Sequence, residues 1–134
     1  IISKREVFSR VYLAQYPQPD TSTTTMKLVS LMPWGFAVAG DISPDGQWII
    51  VRGMFNAALF QRPAQQPLAQ AFRGKTRALA LAQERQGEAI CFDAQALGYY
   101  TTSEQKNAHI YYFPRPQLTD DETPTSHAGK GESN

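Results

Sequence analysis

Few side chains in this sequence have a type and spacing that could do chemistry, and spacing alone removes most of them. The two histidines, His109 and His127, have no second histidine or cysteine at ligand spacing, so neither points to a transition-metal site. No serine sits in a Gly-x-Ser-x-Gly elbow, which removes the α/β-hydrolase arrangement. Asp120-Asp121-Glu122 lacks calcium-loop spacing and reads as solvated acids. Trp34 and Trp48 can line a sugar site or fill space between sheets, and at their spacing the second reading is favoured. The single cysteine, Cys91, excludes an internal disulfide; between Ile90 and Phe92 it reads as a small buried hydrophobe. Four candidates are left. Asp41 and Glu88 each lie in a short apolar segment, and Glu104 and Asn107 follow another.

What these four can do depends on the elements that carry them, and those elements repeat. Ile49-Ile50-Val51-Arg52, a spacer, then Ala58-Leu59-Phe60-Gln61-Arg62-Pro63 recurs 48 residues earlier as Ile1-Ile2-Ser3-Lys4 and Arg10-Val11-Tyr12-Leu13-Ala14-Gln15, with Pro17 close behind. It returns about 50 residues later as Tyr99-Tyr100-Thr101-Thr102 and His109-Ile110-Tyr111-Tyr112-Phe113-Pro114. A period of this length in an all-strand pattern is the signature of β-propeller blades. The expected fold is therefore all-β: a propeller fragment of about two and a half four-stranded antiparallel blades. Ile1 falls inside a repeat unit, so the natural polypeptide is expected to begin before it.

The middle copy sets the strand pattern. Ala37 to Ser43 reads as a short inner strand ending at the turn Ser43-Pro44-Asp45-Gly46. Gln47 to Gly53, rich in β-branched and aromatic residues, is its partner, and Ala57 to Gln61 is a third strand stopped by Pro63. Pro67 to Arg73 suits a short helix stopped by Gly74, and Thr76 to Leu81 an outer fourth strand. The first copy supplies the end of a second strand (Ile1 to Lys4), a third (Ser9 to Gln15) and a fourth (Met26 to Met32). The last supplies a first (Glu88 to Phe92), a second (Gly98 to Ser103) and a third (Ala108 to Phe113), with no fourth. Blades of about 1–32, 37–82 and 87–114 follow, within a propeller portion spanning 1–116. From Gln117 to Asn134 only Leu118 is a sizeable apolar residue, so 117–134 is expected to be a disordered polar tail. Blades bury their faces only against neighbours. The end faces should thus expose core residues such as Ile49, Leu59, Phe92 and Tyr111, and a stable free monomer is not expected. The partner should be the missing N-terminal part of the same propeller, or another copy through self-association. A net charge of +1, with the thirteen Lys and Arg scattered, gives no reason to expect nucleic acid. No apolar run is long enough for a membrane span.

The stretch Gln86-Gly87-Glu88-Ala89-Ile90-Cys91-Phe92-Asp93, continued by Gly98-Tyr99-Tyr100-Thr101-Thr102-Ser103-Glu104, Asn107 and Ile110-Tyr111, resembles a blade of the β-propeller phytases and of the wider phytase-like (esterase-like) bacterial propellers. The resemblance implies a six-bladed ring in a periplasmic or secreted protein. It also implies that Glu88, opening an inner strand, points into the central channel and takes part in a calcium and phosphate site. Asp41, one blade earlier, would face the same channel. Calcium takes six to eight oxygen ligands, which carboxylates converging on one axis could supply. Gly40-Asp41-Ile42 nevertheless departs from the Glu-Gly motif with paired aspartates that such a cluster uses. The alternative for both residues is acceptance of backbone N–H groups at strand ends. Glu104 and Asn107 could border a ligand site, or simply shape a turn. Two functions follow: a ligand- or partner-binding scaffold, or a metal-assisted, calcium-dependent phosphoesterase or esterase.

Overall fold

The computed structural model describes residues 1–117. The expected disorder of the tail, the acidic run at 120–122 and His127 lie outside these residues, Gln117 excepted. Nine strands form three separate antiparallel sheets, and no closed barrel forms among the described residues. Sheet 1 pairs β1 (Arg10–Leu13) with β2 (Lys27–Leu31). Sheet 2 runs β3 (Ala37–Ile42), β4 (Trp48–Gly53), β5 (Ala57–Gln61) and β6 (Thr76–Ala78). Sheet 3 runs β7 (Gly87–Phe92), β8 (Gly98–Ser103) and β9 (Tyr111–Pro114). The only helix among them is a 3-10 turn, Leu68–Arg73, entered through Pro67 and closed where the Gly74 N–H donates to the Ala71 carbonyl at 3.2 Å. No helix among the described residues is long and apolar enough to cross a membrane.

Sheet 2 lies between the other two, which explains the texture of its sequence. Ile49, Val51, Ala58 and Phe60 pack against Val11 and Met32 of the first unit, with Phe72 of the 3-10 turn closing the cluster. The alternate residues Ile50 and Leu59 pack the other way, against Ile90, Phe92 and Tyr99 of sheet 3. A strand covered on both faces needs apolar side chains at every position, and β4 and β5 read as near-continuous apolar runs for that reason. Each fully buried Ile, Val or Leu there contributes about 1.5–3 kcal/mol.

The repeat is visible in backbone detail. β3 with β4 and β7 with β8 share their pairing, including an irregularity between Ala37 and Ala39 that recurs between Gly87 and Ala89. Positive φ angles recur at the same interval, Phe36 (57°) with Gln86 (55°), and Gly46 (69°) with Ala96 (54°). The two hairpin turns use different side chains for one task. In the first, Ser43 Oγ accepts the Trp48 N–H at 2.9 Å and Asp45 accepts that of Gln47 at 3.0 Å. In the second, Asp93 Oδ1 accepts from both Gln95 and Leu97 at 3.0 Å. The first unit keeps the register too. Ile2 bridges Val11 as Ile50 pairs with Leu59, and the Tyr12 N–H donates to the Ile1 carbonyl at 2.8 Å.

Several expectations are corrected. Cys91 is exposed, not buried. Ile90 and Phe92 point at sheet 2, so period-two alternation turns Cys91 to the opposite face, where no further sheet lies among the described residues. Ile49, Leu59 and Phe92 are buried between sheets, 3%, 0% and 8% exposed, whereas Tyr111 is 38% exposed; the open face of sheet 3 instead carries the cross-strand pair Tyr100 and Tyr112. β9 begins at Tyr111 rather than Ala108 because Asn107 takes a left-handed φ of 59° and Thr102 Oγ1 donates to the His109 carbonyl at 2.9 Å. β6 ends at Ala78, although the Leu79 N–H still donates to the Ala57 carbonyl at 2.9 Å.

Candidate functional site

Asp41 and Glu88 lie on β3 and β7, the first strands of sheets 2 and 3, which pack along one another. These strands pair on one side only, with β4 and β8, so their other edges carry unpaired backbone groups. Asp41 serves two of them. Its Oδ1 accepts the N–H of Ile42 at 2.8 Å, and its Oδ2 accepts that of Phe92 at 2.9 Å. One carboxylate therefore ties neighbouring strand edges together. Charge-assisted bonds of this kind are stronger than neutral ones.

Glu88 makes an ion pair. Its Oε2 lies 2.8 Å from Lys4 Nζ, both groups being partly exposed. Lys4 comes from the first unit, so this contact reaches past sheet 2 and joins the first unit to sheet 3. Glu104 and Asn107 lie in the exposed β8–β9 loop, where the Glu104 N–H donates to the Gln86 carbonyl at 3.3 Å. Among the described residues, no three or more His, Cys, Asp or Glu gather closely enough to hold a metal ion.

A more deeply buried polar group was not foreseen. Arg52, 1% exposed, lies next to the end of β4 with its Nη1 donating to Glu84 Oε2 at 2.7 Å and to the Ala89 carbonyl at 3.1 Å. It stitches sheet 2 to the connection into sheet 3 and to β7. Lys4 and Arg52 occupy the same place in the repeat, and both reach toward sheet 3. Gly87 belongs to this arrangement: a Cβ there would lie 1.6 Å from Arg52 Nη2.

Asp93 and Tyr112 form a second polar pair, on sheet 3. The Tyr112 hydroxyl donates to Asp93 Oδ2 at 3.0 Å. Desolvation favours the neutral acid, yet the N–H of Leu97, the Tyr112 hydroxyl and the N–H of Gln95 outweigh it and hold the Asp93 carboxyl below its ordinary value. The same bond pushes the Tyr112 hydroxyl above its ordinary value. Nearby, the Arg115 guanidinium lies over the Trp48 ring at 4.3 Å, and its Nε donates to the Ala96 carbonyl at 2.7 Å.

A concavity lies between the first unit and sheet 2. It is an apolar cleft of about 630 Å³ whose walls include Ile2, Val11, Ala39, Ile42 and Leu68. Comparison with protein-family models, curated proteins and solved structures gives no match.

Proposed function

We propose that residues 1–116 are consecutive blades of a β-propeller of the phytase-like kind, acting as a scaffold that holds a ligand or partner rather than as a metal enzyme. The observation that carries this reading is how the carboxylates at the strand edges are engaged. Asp41 accepts two backbone N–H groups and Glu88 is neutralised by Lys4. Both are engaged in joining units, the work that stacked repeats require. The blade reading is supported by recurrence of the pairing irregularity and of both positive-φ residues 50 positions apart.

Calcium-dependent hydrolysis at Glu88 and Asp41 is the competing reading, and a cation would have to displace Lys4 and the two N–H donors. Thermal melts in a calcium titration separate the two. A site filled at a hundredfold excess over its dissociation constant would add about 2.7 kcal/mol and raise Tm by several degrees. The scaffold reading expects Tm to stay constant up to millimolar calcium. A calcium-dependent rise that disappears in Glu88→Gln overturns it.

A further inference from the structure

Between Asp45 and Glu84 the sequence holds no acidic residue, yet it carries Arg73, Lys75 and Arg77 in one short stretch. Counter-charge for this stripe has to come from elsewhere in the chain. Most acids of the described residues are committed to other work. Glu6, Glu84 and Glu88 pair with Arg10, Arg52 and Lys4, while Asp41, Asp45 and Asp93 accept backbone N–H groups. The densest acidic run in the sequence is Asp120-Asp121-Glu122.

The basic stripe lies on the outer strand of sheet 2. β6 pairs with β5 alone, so its other edge is open among the described residues. Arg77 stands opposite Leu59, which packs toward sheet 3. Lys75, whose carbonyl accepts the Gln61 N–H at 3.4 Å, falls on the same face by period-two alternation. The chain leaving sheet 3 travels to this place. Arg115 lies over the Trp48 ring of β4 at 4.3 Å, and two residues on, the Gln117 carbonyl accepts from Arg77 Nη1. The path therefore crosses sheet 2 from β4 toward β6, over the face that Lys75 and Arg77 share. Asp120 follows Gln117 by three residues, a reach of up to about 10 Å. Lys75 and Arg77 are about 7 Å apart along the strand, so the acidic run is long enough to meet both.

We propose that Asp120-Asp121-Glu122 docks on Lys75 and Arg77, with Arg73 at the end of the stripe, and straps the segment after β9 across the outer edge of sheet 2. Opposite charge is what recognises the site, and the strap covers an edge strand that would otherwise be open to pairing with another chain. It repeats a device used twice elsewhere. Lys4–Glu88 and Arg52–Glu84 also join a cation of one unit to an acid further along the chain. The inference goes beyond the blade reading and does not depend on it.

The test uses the complete 134-residue chain and a water-soluble carbodiimide, which joins a lysine amine to a carboxylate in contact with it. The Lys4–Glu88 pair, at 2.8 Å, is the internal positive control. Lys27 and Lys106, exposed on other elements, are the negative ones. Two or three exposed ion pairs together favour the docked state by about tenfold. Peptide mapping at low salt should accordingly find the 120–122 run joined to Lys75 far more than to Lys27 or Lys106. In about 1 M NaCl, where charges are screened beyond about 3 Å, the Lys75 yield should fall by at least about fivefold. In a mixture of unlabelled and heavy-nitrogen chains, each crosslinked product should carry one label only, as a contact within one chain requires. Absence of the Lys75 product while Lys4–Glu88 forms, equal yields at Lys27 and Lys106, or a yield indifferent to salt would overturn the strap and leave the blade reading standing. Mixed-label products would also overturn it, by making a second copy the source of the acids.

Discussion

Removing either member of the Arg52–Glu84 pair should destabilise the protein strongly. The two side chains are 2% and 3% exposed, so neither charge is solvated once its partner is gone. Loss of one partner from a buried pair typically costs about 3–5 kcal/mol. Two features place this pair toward the lower end. Arg52 Nε and Glu84 Oε1 have no hydrogen-bond partner among the described residues, so the pair is incompletely satisfied. Arg52 also keeps its bond to the Ala89 carbonyl when Glu84 is truncated. About 3 kcal/mol is therefore expected for Glu84→Ala, a large share of a typical 5–15 kcal/mol stability. In urea, with a slope of about 1–3 kcal/mol per molar, the midpoint should fall by about 1 M or more. Trp34 and Trp48 fluorescence reports the transition. Arg52→Met should cost a similar amount, because it strands the Glu84 carboxylate. The double variant Arg52→Met, Glu84→Leu should recover most of the loss. Single losses below about 1 kcal/mol, or a double variant whose loss equals the sum of the singles, would refute the assignment of a coupled buried pair.

Gly87→Ala should lower stability by more than about 2 kcal/mol, since the new methyl group meets the locked Arg52 guanidinium. Gly98→Ala meets only the half-exposed Tyr112 ring, which can swing aside, so urea titration should find it the milder of the two; the reverse order would count against a rigid Arg52. Asp45 accepts from the Ser43 hydroxyl and then the Gln47 N–H, and these hold its carboxyl below the ordinary value. A depressed folded pKa gives stabilisation that is complete above the unfolded value and is lost as pH falls through the folded one. Asp45→Asn should therefore lower stability at neutral pH, leave low pH little changed and so flatten the acid limb of a stability–pH profile, whereas an unchanged acid limb would show that the turn does not depend on the charge.

Strand existence was legible in this chain because apolar runs, Pro stops and the Ser43-Pro44-Asp45-Gly46 turn are local signals, and because repetition at about 50 residues lets one copy vouch for another. Ile1–Lys4, too short to be read alone, was placed by analogy with Ile49–Arg52, and the Ile2–Val11 bridge keeps that register. Coverage of each strand was another matter. Cys91 and Ile50 both sit amid apolar neighbours, yet one is exposed and the other fully buried. Sequence reports which face a side chain takes within its own strand; a neighbouring sheet, brought up by residues far along the chain, decides whether that face is dry. The polar residues follow the same division. Asp41 and Glu88 were recognisable as carboxylates at strand edges, but their partners, the Phe92 amide and Lys4, lie 51 and 84 residues away. Arg52 carried no local sign of burial. Only the approach of Glu84 and Ala89 supplies the acceptors that let a guanidinium leave water, and only tertiary structure creates that approach.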